Sequence, residues 1–477
     1  MPRTAVLWLR RDLRLADNPA LVRALEVCER VVPLYVHAPD EEHPWQPGAA
    51  SRWWLHHSLS ALDASLRERG SGLIVRCGNS LEQLRQVAAS CAATEVFWNR
   101  LYEPATVVRD TRVKQALREA GLRCESLSAS LLFEPWELTR GRGEPYRVFG
   151  AFWRKGADSL ARLKPPLPAP AALPPLPPQL DGISVADLGL LPRIGWDSGL
   201  RETWRPGEAQ AQKSAQQFFA GPVVSYAEHR DLPAVRGTSR LSPHLHFGEI
   251  GPRQLVWLAR EETGSLDGPS EHFVRELGWR EFAYHLLFHF PTTGEEPLDR
   301  RFDSFPWRSQ GMQPLLDAWK AGRTGIPLVD AGMRELWQSG WMHNRARMVV
   351  ASLLTKNLRL PWQEGTRWFW DTLVDADLAA NTLGWQWTAG CGADAAPYFR
   401  IFNPVRQGER FDPQGAYVKR WCPELERLPQ KYIHQPWSAP PAVLAASGIE
   451  LGKDYPRPIV DLAASRQEAL AAWGRVK

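Results

Sequence analysis

The sequence places a carboxyl group, an indole and a guanidinium close together at Glu276, Trp279 and Arg280. Spacings of three and four residues bring side chains to one face of a helix, so the three groups share a face if the segment is helical. Such a face suits an aromatic base that is stacked by the indole and hydrogen-bonded by the polar groups. An amphipathic helix with an internal ion pair is the structural alternative.

A second candidate segment runs over residues 341–348. Asn344, Arg347 and Met348 share a helical face, and an asparagine amide can read the edge of a base through two hydrogen bonds. His343 stands alone among them, which favours a structural histidine over a ligand.

Two further segments are rich in acidic, amide or hydroxyl side chains. Within thirteen residues the chain combines two acids, an amide and two indoles, at Asp375, Asp377, Asn381, Trp385 and Trp387. No tight cluster of histidines and acids accompanies them, so a metal site is not favoured. Residues 237–243 bring small hydroxyl groups to a predicted helix start, which suits a phosphate, whereas an ordinary capped helix is the alternative.

The first 130 residues alternate between predicted strands and predicted helices. Asn18 and Pro19 open the first helix as N-cap and first helical residue. The predicted strands cover residues 4–10, 31–37, 72–77, 95–99 and 124–130, and the further helices cover residues 50–69, 80–91 and 104–120. This alternation is typical of a doubly wound parallel sheet, which binds ligands at the carboxyl ends of its strands. No G-x-G-x-x-G or P-loop motif follows the first strand.

A proline-rich stretch separates this α/β domain from a helical one. Residues 165–178 contain eight prolines in fourteen positions, which predicts an extended spacer, with an SH3-type ligand as the alternative. Predicted helices follow over residues 252–263, 270–288, 327–338, 342–357 and 365–373. We therefore expect an α/β domain over residues 1–130, an interdomain linker over 131–200 and a larger all-helical domain over 201–477.

Composition narrows the class of protein. The 477 residues include 58 basic and 53 acidic side chains, a net charge of +5 that does not by itself argue for nucleic acid. No apolar run is long enough to span a membrane, and the charged segment near the start is unlike a secretory signal. Six cysteines without a C-x-x-C pair suggest reduced thiols in a cytoplasmic protein. The chain has 23 tryptophans, ten of them from Trp279 to Trp387. They indicate either a large apolar core or a site that uses indoles for stacking or as redox-active groups.

The candidate segments resemble those of DNA photolyase/cryptochrome flavoproteins. The resemblance rests on GTSRLSPHLHFG, ELGWREF, GWMHNRARM, DADLAANTLGWQW and DAAPYFRIFNP, with LWLRRDLRLADNPAL near the start, and it covers essentially the whole chain. It implies an α/β antenna domain and a helical domain that binds FAD in a U shape. PWQPGAASRWWLHHSL and LPWQEGTRWFWDTLVDADL are similar to plant cryptochromes, and the mixture resembles the class III branch of bacterial cyclobutane pyrimidine dimer photolyases.

The resemblance implies a set of cofactor residues. These are Tyr226, Thr238, Ser239, Arg240, Leu241, Ser242, Arg347, Asp375, Asp377 and Asn381. Arg347 would pair with Asp375, and Asn381 would face the flavin N5, where plant cryptochromes have an aspartate. A chain of three indoles, Trp385, Trp362 and Trp307, would carry electrons from the surface to oxidised flavin, with Trp319 outside it.

The resemblance also implies a lesion pocket and a reaction. The pocket would comprise Glu276, Trp279, Asn344, Met348 and Trp387, with DNA contacts from Arg230, Arg280, Arg345 and Arg400. Excited reduced FAD would give one electron to a flipped-out cyclobutane pyrimidine dimer and recover it after ring opening, while Glu276 hydrogen-bonds a pyrimidine carbonyl. The alternative is a blue-light photoreceptor without repair activity.

The second chromophore and the partners follow from the same resemblance. Asn99 and Glu103 align with residues that contact a reduced folate, so we expect methenyltetrahydrofolate as the antenna, with a deazaflavin as the alternative. Residues 291–302 lack the Cys-Lys pair that helps to hold folate in better-known members, which suggests a folate site built differently. The expected partner is UV-damaged DNA, double- or single-stranded, bound by a monomer with no obligate protein partner.

Overall fold

A computed structural model of the chain describes residues 2–178, 180–266, 268–395 and 399–476. Ala396, Pro397 and Tyr398, which belong to the DAAPYFRIFNP segment, lie outside the described residues.

The N-terminal part is a five-stranded parallel sheet with helices on both faces. Its strands are β1 Thr4–Leu9, β2 Arg30–His37, β3 Ile74–Cys77, β4 Glu95–Asn99 and β5 Arg123–Leu127, in the order β3-β2-β1-β4-β5. Its helices are α1 Pro19–Val27, α2 Ala49–Arg67, α3 Ser80–Ser90 and α4 Pro104–Glu119. The predicted doubly wound fold is confirmed, and the Asn18 side chain caps α1 as expected, by accepting from the Leu21 amide.

Every residue of β1 is buried, because this strand lies at the centre of the sheet. Successive side chains of a strand point to opposite faces. Leu7 and Leu9 pack with residues of α1 and α2, whereas Val6 and Trp8 pack with residues of α3 and α4. A continuous apolar run is what a parallel strand covered on both faces requires.

The region predicted as a linker contains a helix. Residues of α5, Phe149–Leu160, pack against the later helical part through Phe149 and Phe152, so this stretch of the 131–200 segment is part of the helical core. The proline-rich stretch is extended and runs along the α/β domain, where the Leu173 amide donates to the Arg69 carbonyl at 2.8 Å.

The remainder of the chain is helical. The helices are α6 Ser198–Thr203, α7 Glu208–Phe219, α8 Tyr226–His229, α9 Ser242–His246, α10 Pro252–Thr263, α11 Glu271–His289, α12 Met312–Lys320, α13 Pro327–Ser339, α14 Asn344–Ser352, α15 Trp362–Thr372, α16 Leu378–Ala389, α17 Pro404–Phe411, α18 Ala416–Trp421, α19 Pro441–Ala446 and α20 Leu462–Gly474. The single helix predicted over 342–357 is divided, because a π-helical turn, Leu353–Asn357, follows α14. Within the described residues, no helix combines the length and the apolar character that crossing a membrane requires.

The two domains meet through closely packed backbone. Gly248 has a φ of +65°, and a Cβ atom there would lie 2.2 Å from the Arg11 carbonyl oxygen, so only glycine fits this contact. Arg14 donates to the Gly248 carbonyl at 2.9 Å, and the Leu13 amide donates to the Phe247 carbonyl at 3.1 Å. The α/β domain is therefore fixed against the segment that leads into α10.

Candidate functional site

Three helices bring the predicted site segments into one region. α16 packs against both α11 and α14. α11 carries Glu276 and Trp279, α14 carries Asn344 and Met348, and α16 carries Trp387. Segments more than one hundred residues apart in sequence are therefore neighbours in the fold.

The first acid of the DADLAAN segment is held by a cation and a hydroxyl. Asp375 accepts two hydrogen bonds from Nη2 of Arg347, at 2.9 and 3.0 Å, and one from the Ser242 hydroxyl at 2.6 Å. The expected Arg347–Asp375 contact is present. Because Asp375 is 7% exposed, these charge-assisted bonds fix the carboxylate where solvent barely reaches it.

The second acid belongs to a buried polar chain. Asp377 caps α16 by accepting from the Ala380 amide at 2.8 Å, and it also accepts from the Tyr284 hydroxyl. Burial by itself would raise the pKa of Asp377, but the nearby His246 ring, the Arg280 charge and the Tyr284 hydrogen bond outweigh it and lower that pKa. Asp377 is therefore a permanent carboxylate.

The same chain continues into the α/β domain. The Tyr284 hydroxyl lies 3.5 Å from Glu103 Oε1, and the Glu103 carboxylate pairs with Arg11 at 2.7 Å. Burial and the adjacent carboxylates of Asp377 and Glu103 raise the pKa of Tyr284 well above its usual value, so it acts as a hydrogen-bond donor. Tyr284 is not among the predicted site residues, although Tyr284 follows Arg280 by four residues and therefore lies on the same helical face.

Several buried polar atoms, on α16 and next to Asp377, have no partner among the described residues. They include Nδ1 of His246, which is 3.7 Å from Asp377, the Thr382 hydroxyl and the Trp385 indole N–H. Unpaired buried polar groups are costly, so such atoms mark a place where a polar ligand completes the hydrogen bonds. Together with the Asp375 carboxylate and its donors Arg347 and Ser242, this set of polar groups fits FAD.

The remaining predicted cofactor residues have different surroundings. Thr238 and Ser239 are half-buried, and Arg240 has a left-handed backbone with its guanidinium 4.6 Å above the Trp341 ring. Leu241 is 1% exposed within the core, and its carbonyl accepts from the Leu245 amide at 2.9 Å. Tyr226 packs edge-on against Phe218 and Phe273. Asn381 donates to the Thr366 carbonyl at 3.1 Å and is half-buried.

The indole of Trp279 is half-buried and stacked on a neighbouring aromatic ring. Its ring stacks on that of Phe149 with centroids 3.7 Å apart and planes inclined by 11°. One face of the indole is thus fixed by α5, the helix that sequence periodicity did not predict. A side chain restrained in this way is a preorganised stacking surface.

The neighbouring Glu276 is ion-paired. Its Oε1 lies 2.5 Å from Nη1 of Arg230, and both side chains are partly buried. A carboxylate accepts hydrogen bonds but has none to donate. In this state Glu276 cannot donate to a pyrimidine carbonyl, which is the contact that the resemblance implies.

The other predicted pocket residues are accessible. Asn344 is exposed and Met348 is half-buried on α14. Trp387 is half-buried and stacks on Phe402 at 6.4 Å, with the Arg400 guanidinium 5.4 Å above its ring. Arg400 itself is exposed, so it is available to a phosphate.

Two predicted DNA contacts are placed differently from expectation. Arg280 points inward: it donates to the Ser130 carbonyl at 2.7 Å, pairs with Glu281 at 3.3 Å, and its side chain is 13% exposed. This geometry assigns Arg280 to the domain junction and not to a DNA backbone. Arg345 is paired with Asp231 at 2.8 Å and lies 4.2 Å above the ring of Phe411.

The three indoles of the predicted electron chain lie in or against one core cluster. Trp385 and Trp362 are buried, and Trp307 packs partly buried against it, with its ring 4.5 Å from that of Phe305. Trp319, predicted to be outside the chain, is in fact a neighbour of Trp385, with ring centroids 6.1 Å apart. The fold thus brings α12 beside α16 at this pair of rings.

A cleft of about 840 Å³ lies between the two domains. Residues of the α/β domain and of the helical domain line it together, among them Arg11, Trp45, Glu103, Arg109, Glu295 and Trp370. The rings of Trp45 and Trp370 meet edge-to-face at 5.4 Å. Glu103, which is predicted to contact the antenna chromophore, therefore lies in the wall of a cavity.

The structure argues against the predicted contact between Asn99 and the antenna chromophore. Asn99 is 2% exposed and donates to Asp12 at 2.7 Å and to Asn18 at 2.8 Å, while its oxygen accepts from the Ala20 amide at 3.2 Å. Both donors and the acceptor are occupied. Asn99 seals the carboxyl end of β4, where parallel sheets commonly bind ligands, and does not reach the cleft.

Comparison with known proteins agrees with this arrangement. A family model described as the FAD binding domain of DNA photolyase matches residues 273–475, and one described as DNA photolyase matches residues 5–171. The chain is 46% identical to a deoxyribodipyrimidine photo-lyase of Agrobacterium fabrum, over 99% of the chain and 98% of that protein. It is 40% identical to cryptochrome-2 of Arabidopsis thaliana, over 100% of the chain and 80% of that protein.

A solved structure gives the same result. The fold matches the crystal structure of a bacterial class III photolyase from Agrobacterium tumefaciens with a TM-score of 0.95 and 45% sequence identity, covering 100% of this chain and 98% of that one.

Proposed function

The chain belongs to the DNA photolyase/cryptochrome family, and from this premise we propose that it is a deoxyribodipyrimidine photo-lyase that repairs UV-damaged DNA in the cytoplasm. The proposed substrate is a cyclobutane pyrimidine dimer. The observation that carries this proposal is the Trp279 indole, fixed at 3.7 Å against Phe149 beside the Glu276 carboxyl group. A rigid aromatic surface next to a polar group is what a flipped-out, stacked base requires.

FAD bound beside Asp375 and Asp377 would supply the electron that opens the dimer when light excites its reduced form. The protein's part is to hold that cofactor in one orientation. Arg347 and Ser242 fix the Asp375 carboxylate, and Tyr284 and the first turn of α16 fix that of Asp377. The Asn381 amide has no acidic proton to lose, which suits a site that keeps reduced flavin from exchanging protons.

DNA binding would combine backbone attraction with recognition of the extruded dimer. Damage weakens stacking and pairing, so extruding a dimer costs less than extruding an intact base. Trp279 and Trp387 would enclose the flat faces of the dimer, and Asn344 and Met348 would form the wall contributed by α14. Arg400, exposed beside Trp387, would bind a phosphate.

We propose that Trp385, Trp362 and Trp307 restore reduced flavin by passing electrons inward from the surface. Trp385 lies one helical turn after Asn381 on α16, which places it beside the cofactor region. Trp319 gives Trp385 a second indole neighbour, because their rings are 6.1 Å apart.

The antenna chromophore would bind in the cleft between the domains. Trp45 and Trp370 offer aromatic surfaces, and Glu103 and Arg109 offer charged groups for a pterin and its carboxylate tail. The crevice at the carboxyl ends of β1 and β4 is filled by Asn99 and its partners, which argues against a chromophore inside the α/β domain. A reduced folate such as methenyltetrahydrofolate is the proposed occupant, and a deazaflavin is the alternative.

Repair is tested directly with dimer-containing DNA. Reduced holoprotein and the DNA are illuminated with blue light, and recovery of pyrimidine absorbance is followed, with a dark sample as control. Restored absorbance in the light supports the proposal. Bound, reduced FAD without any loss of dimers would favour a photoreceptor, the second candidate, which the 40% identity to a plant cryptochrome supports.

A further inference from the structure

Two consecutive residues connect the two helices that form the pocket walls. Arg230 pairs with Glu276 on α11 at 2.5 Å, and Asp231 pairs with Arg345 on α14 at 2.8 Å. Four charged groups of alternating sign, Glu276, Arg230, Asp231 and Arg345, are therefore linked through two ion pairs and one peptide bond. Both arginines are expected phosphate contacts, yet each one already has a carboxylate partner.

The Arg230–Glu276 pair is tight. The two side chains are 23% and 31% exposed, so solvent screens them only partly. Burial by itself would lower the pKa of Arg230, but the hydrogen bond and charge of Glu276 outweigh burial and raise it. The pair has no net charge, so a DNA phosphate near it gains little electrostatic attraction.

Glu276 has a second role in the proposed function, and the two roles are incompatible. To donate a hydrogen bond to a pyrimidine carbonyl, Glu276 must first take a proton from solvent. The protonated carboxyl is neutral and no longer neutralises Arg230. The guanidinium keeps its charge and becomes free to bind a phosphate of the same DNA.

On the basis of the proposed function, we propose that Arg230 contacts a DNA phosphate only when a dimer occupies the pocket. Without a dimer, Glu276 remains ion-paired with Arg230. With a dimer, Glu276 hydrogen-bonds the dimer and releases Arg230. Undamaged DNA places nothing in the pocket, so Arg230 stays paired and contributes no ionic contact. Lesion recognition would thus be converted into extra backbone affinity. Asp231 is not one of the proposed pocket residues, so we expect its pairing with Arg345 to be the same for both kinds of DNA.

The dependence of binding on salt distinguishes these cases, because each phosphate contact adds about 0.9 to the slope of log affinity against log salt. Affinities of the holoprotein in the dark are measured by fluorescence anisotropy for matched duplexes with and without one dimer. For the unsubstituted protein, we expect the slope to be larger by about one contact on dimer DNA. Between 50 and 200 mM salt, that difference changes the preference for damaged DNA about three- to four-fold.

Two substitutions isolate the pair. Arg230→Gln should reduce the slope on dimer DNA by about one contact and leave the slope on undamaged DNA unchanged. Glu276→Gln, which is neutral and able to donate like the protonated acid, should raise the slope on undamaged DNA to that on dimer DNA. Equal slopes for the two duplexes, or an equal loss on both in Arg230→Gln, would overturn the proposal.

Matched acid-to-amide variants serve as controls. Asp231→Asn frees Arg345 irrespective of the lesion, so it should raise both slopes equally and preserve their difference. Asp303→Asn changes the net charge by the same amount at an exposed pair with Arg300 and should leave both slopes unchanged. A protein that does not prefer dimer DNA at all would overturn the proposed function as well. A preference with equal slopes would overturn only the conditional role of Arg230.

Discussion

Protonation of His343 should weaken the start of α14, the helix that carries Asn344, Arg345 and Met348. His343 Nδ1 accepts the hydrogen bond that caps this helix, from the Arg345 amide at 3.1 Å. The side chain is 2% exposed, and its Nε2 has no partner among the described residues. Only the neutral ring can accept at Nδ1, so a protonated His343 loses the cap and gains a buried charge.

The structure sets the size and sign of this effect. The pKa of His343 is lowered from 6.5 to about 4, chiefly by burial; Arg345, Arg240 and Arg347 add to the shift, and Asp231 opposes it. Between these two values the unfolded chain binds a proton that the folded protein does not. The free energy of unfolding therefore falls as the pH drops from 6.5 towards 4, by up to about 3 kcal/mol for this group.

Denaturant unfolding of the holoprotein between pH 4.5 and 7.5 measures this dependence. His285, whose pKa burial also lowers to about 4, adds a parallel loss, so the test compares variants rather than absolute slopes. His343→Asn keeps a capping side chain that does not titrate in this range and should flatten the acid loss by about 2–3 kcal/mol. His272→Asn, at an exposed position, is the control. If His343→Asn and the unsubstituted protein lose stability equally, the assignment of His343 as a titrating cap is wrong.

Three further outcomes test the cofactor regions. Trp385→Phe should slow the blue-light reduction of oxidised FAD, followed by absorbance, at normal FAD content, because phenylalanine is much harder to oxidise; unimpaired reduction would contradict the path. Trp319→Phe should cause a smaller loss, and exposed Trp136→Phe none. Asp375→Asn should weaken FAD retention after gel filtration about ten- to one-hundred-fold, since it removes a charge-assisted pair; full retention would contradict that role. Trp370→Ala should lower folate content at unchanged FAD content, and equal loss of both would indicate misfolding of the junction.

The parts of the fold that repeat regularly were predictable from sequence. Alternating strands and helices gave the parallel sheet, and the helix over 252–263 has the predicted ends, because Pro252 begins it and Gly264 ends it. The helix Phe149–Leu160 was missed, since it lies between a proline-rich stretch and a glycine-rich turn that resemble a linker. Its apolar side chains pack on distant residues, and periodicity within a short segment does not reveal such partners.

The site was predictable as a list of residues but not as a set of contacts. Short spacings place Glu276 and Trp279 on one helical face, and the structure agrees. Spacing does not show what lies opposite a side chain, so the inward position of Arg280 and the saturated hydrogen bonds of Asn99 could not be foreseen. Both residues are polar, yet each is satisfied by a backbone carbonyl or side chain remote in sequence.

The strand–helix alternation ends near residue 130, but the buried polar chain at the domain junction includes residues from both sides of that boundary. Arg11 and Glu103 belong to the α/β domain, whereas Tyr284 and Asp377 belong to the helical domain. Asp377 is held as a carboxylate beside the cofactor region by groups that include Tyr284, and Tyr284 also approaches Glu103 in the wall of the interdomain cleft. A buried charge of this kind is tolerable only while its partners stay in place. The α/β domain therefore contributes to the proposed cofactor site through electrostatics at the junction, in addition to the antenna chromophore that we propose it helps to bind.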